Sequence, residues 1–192
     1  HIFVSCQKEM VKIMITIITG APGSGKTTIS DLLAKKVTNG VHIPSDIFYS
    51  FIANSISPDL PEADNQNHIV ISSVIKAAAI FSKNNYDVFV DGIFGPWFLE
   101  FIASELNGSE SEINYVILNL PLDESIERIS KRKIQPVNQT VISHMHSEFE
   151  KNTVNYKSHL LEVNNRKEDS IVEEILENRD KQKYVIKLNT LL

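Results

Sequence analysis

Residues 20–28 read Gly-Ala-Pro-Gly-Ser-Gly-Lys-Thr-Thr, a full match to G-x-x-x-x-G-K-[ST], and they follow an apolar run from Ile13 to Ile18. In a chain this long, a chance match to that pattern has odds of about one in a hundred. Strand before and helix after is the context the pattern requires. The apolar run supplies a buried strand, and Thr28 to Val37 places Ile29, Leu32 and Leu33 at helical spacing. The loop from Gly20 through Ala21, Pro22, Gly23, Ser24 and Gly25 lets the backbone wrap a phosphate and aim several N–H groups inward. The positive end of the following helix dipole faces the same anion. Lys26 reaches the outer phosphates as a point charge, the Thr27 hydroxyl suits a place in the shell of Mg²⁺, and Thr28 is expected to open the helix. This segment predicts binding of a nucleoside triphosphate with Mg²⁺.

Downstream, strands and helices alternate. Val41 to Pro44, Asp87 to Asp91, Ile113 to Leu120 and Leu160 to Val163 read as strands. Helical patterns cover 47–55, 66–83, 96–105, 122 to about 132, 139–157 and 170–178. Tyr184 to Leu188 reads as a sixth strand or a packed tail. Such alternation predicts an α/β fold built on a parallel sheet with right-handed crossovers.

The composition is that of an ordinary globular protein: 192 residues, 42% hydrophobic, 22% charged. A net charge of −5 leaves no electrostatic footprint for nucleic acid. The single Cys6 cannot form an intrachain disulfide, which fits a reducing compartment. No apolar run reaches the roughly 18 residues that span a bilayer. The chain opens on His1, so residues 1–10 read as a tag or disordered start, and 11–192 as one domain. With no export signal read in the sequence and a nucleotide required, a cytoplasmic location is the expectation.

Four further residues are candidates for chemistry. Asp91 closes an apolar strand at its carboxyl end, where open α/β sheets bind ligands, and can hold Mg²⁺; strands also end in Asp because it favours turns. Asp46 follows the second strand and can accept a hydroxyl proton, or it and Ser45 can cap the helix beginning at Ile47. Arg128 and Arg132 lie four apart on one helix face, suited to stack on a base or to offset phosphoryl charge, although clusters of cations near helix ends are commonly just solvated. His144 and His146 lack a zinc spacing and read as surface or core. Trp97, Phe48, Tyr49, Phe51 and Phe94 could line a pocket or belong to the core.

In its order of parts the chain resembles the P-loop kinases that include adenylate and shikimate kinases, and within them the AAA_33-type and chloramphenicol phosphotransferase-like small kinases. GAPGSGKTT is the specific motif, and IPSDIFYSFI, VFVDGIF, ERISKRK and EVNNRKEDSIVEEI match the remaining parts. The resemblance implies a five-stranded sheet in the order 2-3-1-4-5 with helices on both faces, and a short lid around 131–140. It implies Asp46 as base and Asp91 near Mg²⁺. Arg128 would stack on adenine, Arg132 would meet the phosphates, and Asn165 and Arg166 would border the base. It also implies an ATP-dependent phosphotransferase acting on a hydroxyl of a small molecule. The arginine set that clamps a second nucleotide in adenylate kinase is absent, so a neutral hydroxyl compound is the easier acceptor. A kinase for nucleotide sugars or nucleic-acid ends is one alternative, and a slow ATPase acting as a switch is another. No N-K-x-D-like guanine reader accompanies the loop, which favours ATP over GTP.

Overall fold

The computed structural model describes residues 14–107, 110–131 and 138–192. Five parallel strands, β1 (Ile15–Thr19), β2 (Gly40–Pro44), β3 (Asp87–Asp91), β4 (Glu112–Asn119) and β5 (Leu160–Glu162), lie in the order β2-β3-β1-β4-β5. The expected order is therefore the observed one. A sixth strand, β6 (Val185–Lys187), pairs antiparallel with the first half of β4, which resolves the ambiguous tail. Helices α1 (Lys26–Lys36), α2 (Ser45–Ser50), α3 (Asp64–Lys83), α4 (Leu99–Leu106), α5 (Leu122–Ser130), α6 (Gln139–Asn152) and α7 (Glu168–Asp180) complete the layers.

A central parallel strand is covered on both faces, so it reads as an apolar run whose alternate residues serve two cores. Ile15 and Ile17 of β1, Val88 and Val90 of β3, and Ile113, Tyr115 and Ile117 of β4 join the core under α3 and α4. Ile18, Phe89, Val116 and Leu118 point the other way, to Ile29 and Leu33 of α1 and Val172 and Ile175 of α7. The helices thus form two layers around the sheet.

A buried ion pair ties the last helix to the sheet. Arg179 of α7 donates through both terminal nitrogens to Asp87, each at 2.8 Å, with side-chain exposures of 8% and 2%, and its guanidinium lies over the Phe89 ring. Asp87→Ala would leave that guanidinium buried without its counter-charge. Loss of one partner of such a pair costs about 3–5 kcal/mol. A urea midpoint lowered to that extent is the expected result, and an unchanged midpoint would show that water reaches the site.

The parallel register sets the functional edge. Ile18 and Pro44 both pair with Asp91, so β1, β2 and β3 end together, and the segments following each strand emerge side by side. Gly92, directly after β3, is where Ser45 packs: an added Cβ would lie 2.1 Å from the Ser45 Oγ. That close approach draws the start of α2 against the end of β3.

Several expected boundaries shift. α1 begins at Lys26 rather than Thr28, since Gly25 at φ 91° supplies the turn into it. α2 spans 45–50 rather than 47–55, because the chain turns at Phe51 and Ile52 and Gln66 takes both backbone groups of Ile56. The capping reading of Ser45 and Asp46 is overturned: both lie inside the helix, Pro44 precedes it, and no side-chain cap bond forms. α6 stops at Asn152, and a 3-10 stretch, Val154–His159, containing the non-helical Tyr156 (φ −118°), replaces its predicted last turn. The predicted start, 1–10, and residues 132–137 of the predicted lid lie outside the described residues.

Candidate active site

The loop between β1 and α1 takes the conformations its glycines were expected to allow. Gly20, Gly23 and Gly25 all have positive φ, at 145°, 84° and 91°. Gly23 is also hemmed in: a Cβ there would meet the Ser125 Oγ at 2.9 Å. Ser125 itself donates to the Pro22 carbonyl, so α5 packs directly on the loop. Lys26 extends back along the loop and donates to the carbonyls of Gly20 at 3.0 Å and Ala21 at 3.1 Å.

Asp91 faces this loop from β3. The Thr27 hydroxyl donates to its Oδ2 at 2.7 Å, and the His42 ring Nε2 lies 2.5 Å from its Oδ1. A carboxylate accepts and does not donate, so His42 presents an N–H there. His42 stands opposite Phe89 on the neighbouring strand, two residues short of the level of Asp91, and diagonal neighbours on one face are within reach of a long side chain. Asp91 is buried and its carboxylate is held from two sides. Hydroxyl and carboxylate oxygens are hard donors, the type Mg²⁺ prefers. That ion commonly takes only one or two carboxylates and fills its shell with phosphate oxygens and water. The Thr27 and Asp91 donor set fits it.

A cavity of about 460 Å³ opens beside the loop. Lys26, Thr27 and Asp91 line one end, and Asp46, Tyr49 and Asn67 are part of its wall. Tyr49 donates to Asn67 at 3.0 Å, and its phenol is pushed up to about 12, by burial first and by the charge of Asp46 second. Asp46 therefore sits close to a phenol that stays protonated. Trp97 and Phe98 close another side. Their loop is anchored because the Phe94 N–H donates to Thr19 and the Tyr115 hydroxyl donates to the Phe94 carbonyl. Phe94 itself is buried in the core and does not line the cavity, so the core alternative holds for it. Phe48 is partly buried against the same core, and Phe51 is exposed.

The remaining sequence candidates are distributed unevenly. Arg128 lies on α5 one turn beyond Ser125, pairs with Glu124 at 3.9 Å, and is not part of the cavity wall. Arg132 lies outside the described residues. Asn165 (φ 54°) turns the chain after β5, at the sheet edge that also carries the loop. Arg166 binds the Glu162 and Ser170 carbonyls and pairs with Glu174 at 2.8 Å, tying that turn to α7. Neither residue lines the cavity.

Sequence reasoning placed the helix α6 but gave it no part in the site. Val141, His144 and Met145 line the cavity, while Ser143, His146 and Glu150 line a second one of about 440 Å³ behind the loop. Helical spacing divides the two sets between two faces, a pattern that was present in the sequence. His146 is held below its ordinary 6.5, by burial and then by the charge of Lys26. His159 is also lowered by burial, partly offset by the bond to the Tyr115 carbonyl. The folded state therefore binds fewer protons than the unfolded one at both rings. The stability they contribute is complete above 6.5 and is lost as the pH falls through their lowered values. A thermal midpoint that declines below pH 6.5, less steeply in His146→Gln, is the expected result. Equal slopes would remove His146 from the account.

A family model described as AAA domain, AAA_18, matches residues 16–155. A cytidylate kinase from Methanocaldococcus jannaschii is 29% identical over 122 residues, covering 62% of this chain and 65% of that protein. The chain thus spans about two thirds of the length of that relative. Among solved structures, a gluconokinase from Sinorhizobium meliloti superposes with a TM-score of 0.67 at 16% identity, over 90% of this chain and 95% of the other. A shikimate kinase from Acinetobacter baumannii gives 0.63 at 15%, over 90% and 96%. These likenesses bear out the fold and the resemblance to P-loop kinases. Among the described residues no helix is long and apolar enough to cross a membrane.

Proposed function

The chain belongs to the AAA_18 family of AAA domains, and on that premise we propose an ATP-dependent kinase that phosphorylates a hydroxyl of a small molecule. The observation that carries this reading is one cavity with the phosphate loop, the Thr27 and Asp91 pair, and Asp46 in its wall. The loop amides and Lys26 bind the phosphates and offset their charge. Thr27 and Asp91 would hold Mg²⁺, which would supply neutralisation of phosphate charge. Asp46 orients the acceptor hydroxyl and takes its proton as the acceptor oxygen bonds to phosphorus. The bond from phosphorus to the leaving oxygen breaks, and its electron pair departs with ADP. His42 holds the Asp91 carboxylate in place. Arg128, Arg132, Asn165 and Arg166 belong to the nucleotide end of this reading, and 131–140 to a lid over it.

The test is ADP release by the purified protein with Mg-ATP across hydroxylated antibiotics, nucleosides, sugars and nucleotide sugars, with Lys26→Ala as the blank. A compound that raises the rate well above the blank supports the kinase. If ATP binds and no compound stimulates turnover, the switch reading replaces it.

A further inference from the structure

Resting on the kinase reading, we propose that the acceptor is an amino alcohol, a compound carrying a protonated amine near the hydroxyl that is phosphorylated. The argument begins with charge. Residues 45–106, which build the acceptor side of the cavity, contain eight carboxylates, two lysines and no arginine. Both lysines are on α3, and Lys76 is paired with Glu105 at 2.8 Å. Neither lines the cavity. Among the described residues, its basic lining is Lys26, which belongs to the phosphate loop, and His144. A phosphate- or carboxylate-bearing acceptor would find no guanidinium partner on this side, and burial of such a charge without one is strongly unfavourable.

Asp59 then separates the neutral from the cationic class. The kinase reading gives a role to Asp46 and to Asp91, and none to Asp59, although Asp59 lines the same cavity. Its placement is enforced. Asn67 donates to the Pro58 carbonyl at 2.9 Å, Gln66 binds both backbone groups of Ile56, and the Ser57 hydroxyl donates to Asp59 Oδ1. The polar segment 56–59 is thereby pinned against α3 with its carboxylate beside the cavity. Asp46 and Asp59 are both exposed to solvent in the wall of this space. An ammonium seated between them gains attraction from two carboxylates, a gain that a neutral polyol lacks. The Trp97 ring lies in the same wall and is 38% exposed, and an indole face is the best aromatic partner for a cation.

Trp97 is the only tryptophan in the chain, so its emission reports binding at this cavity independently of turnover. The experiment titrates the protein with glucosamine, 2-deoxystreptamine and serinol, each against its N-acetylated counterpart, and with gluconate and cytidine monophosphate as anions. At least one amine is expected to give saturable quenching, at least tenfold tighter than its N-acetylated form. Asp59→Asn is expected to erase that preference while the N-acetylated compound binds as before. Equal or tighter binding of the neutral or anionic compounds, or no response to any amine, overturns the assignment. Displacement of a fluorescent ATP analogue from the same preparation separates the two readings. If ATP displaces it while a neutral compound is preferred, only the amine is wrong; if ATP does not displace it, the kinase reading itself fails.

Discussion

Lys26→Ala is expected to lower acceptor-dependent ADP release by at least about 10²–10³-fold, the range seen when one preorganised charge-stabilising donor is removed. Lys26 is the first residue of α1, and its ammonium already lies along the loop, on the Gly20 and Ala21 carbonyls. On the kinase reading, transferred charge would develop in the cavity that Lys26 lines. The variant leaves both cores untouched, so far-UV circular dichroism and the urea midpoint should stay at the wild-type values. Lys26→Arg is not expected to rescue, because a planar fork cannot replace a compact ammonium between two carbonyls. Retention of more than a tenth of the rate by Lys26→Ala would mean that the loop is not where the phosphoryl group is held.

How much of this was legible in the sequence depends on the range of each signal. The phosphate loop is a local device: its glycines, lysine and threonine act within nine consecutive residues, and the positive φ values at Gly20, Gly23 and Gly25 are what such a pattern requires. The strands were legible because parallel sheets buried on both faces demand apolar runs. Partners that meet only through the sheet register were not. Nothing near His42 in sequence points to Asp91, 49 positions away, and the contact exists because Pro44 and Asp91 are paired in adjacent strands. Asp87 and Arg179, 92 positions apart, are a similar case.

The capping error has a different source. Ser-Asp before an apolar pair is a common start for a helix, and sequence alone weighs that local bond against a tertiary role. Here the tertiary contact wins. Ser45 packs against Gly92, the helix begins two residues early, and Asp46 moves into the first turn with its side chain in the cavity wall. The part α6 takes in the site was not legible for a related reason, since its histidines match no metal spacing and acquire a meaning only from the cavities on either side of the helix.

Asp46→Asn is the second large effect and the more discriminating one. The amide is nearly isosteric and can still orient a hydroxyl, but it cannot take up the proton, so kcat should fall by about 10²–10⁴-fold. Affinity for ATP should be unchanged, because the loop and Lys26 are unaltered. A readout apart from turnover is available at Tyr49, whose phenol is raised to about 12 by burial first and by the Asp46 charge second. Removing that charge should bring the phenol partway back toward 10, with the burial contribution left in place, and an ultraviolet titration of wild type against variant would detect it. A rate loss together with the Tyr49 shift places a charged Asp46 beside the acceptor and assigns it the proton. The Tyr49 shift without a rate loss would leave Asp46 in the wall of the cavity and give the proton to another base, so the assignment of Asp46 rests on both results appearing together.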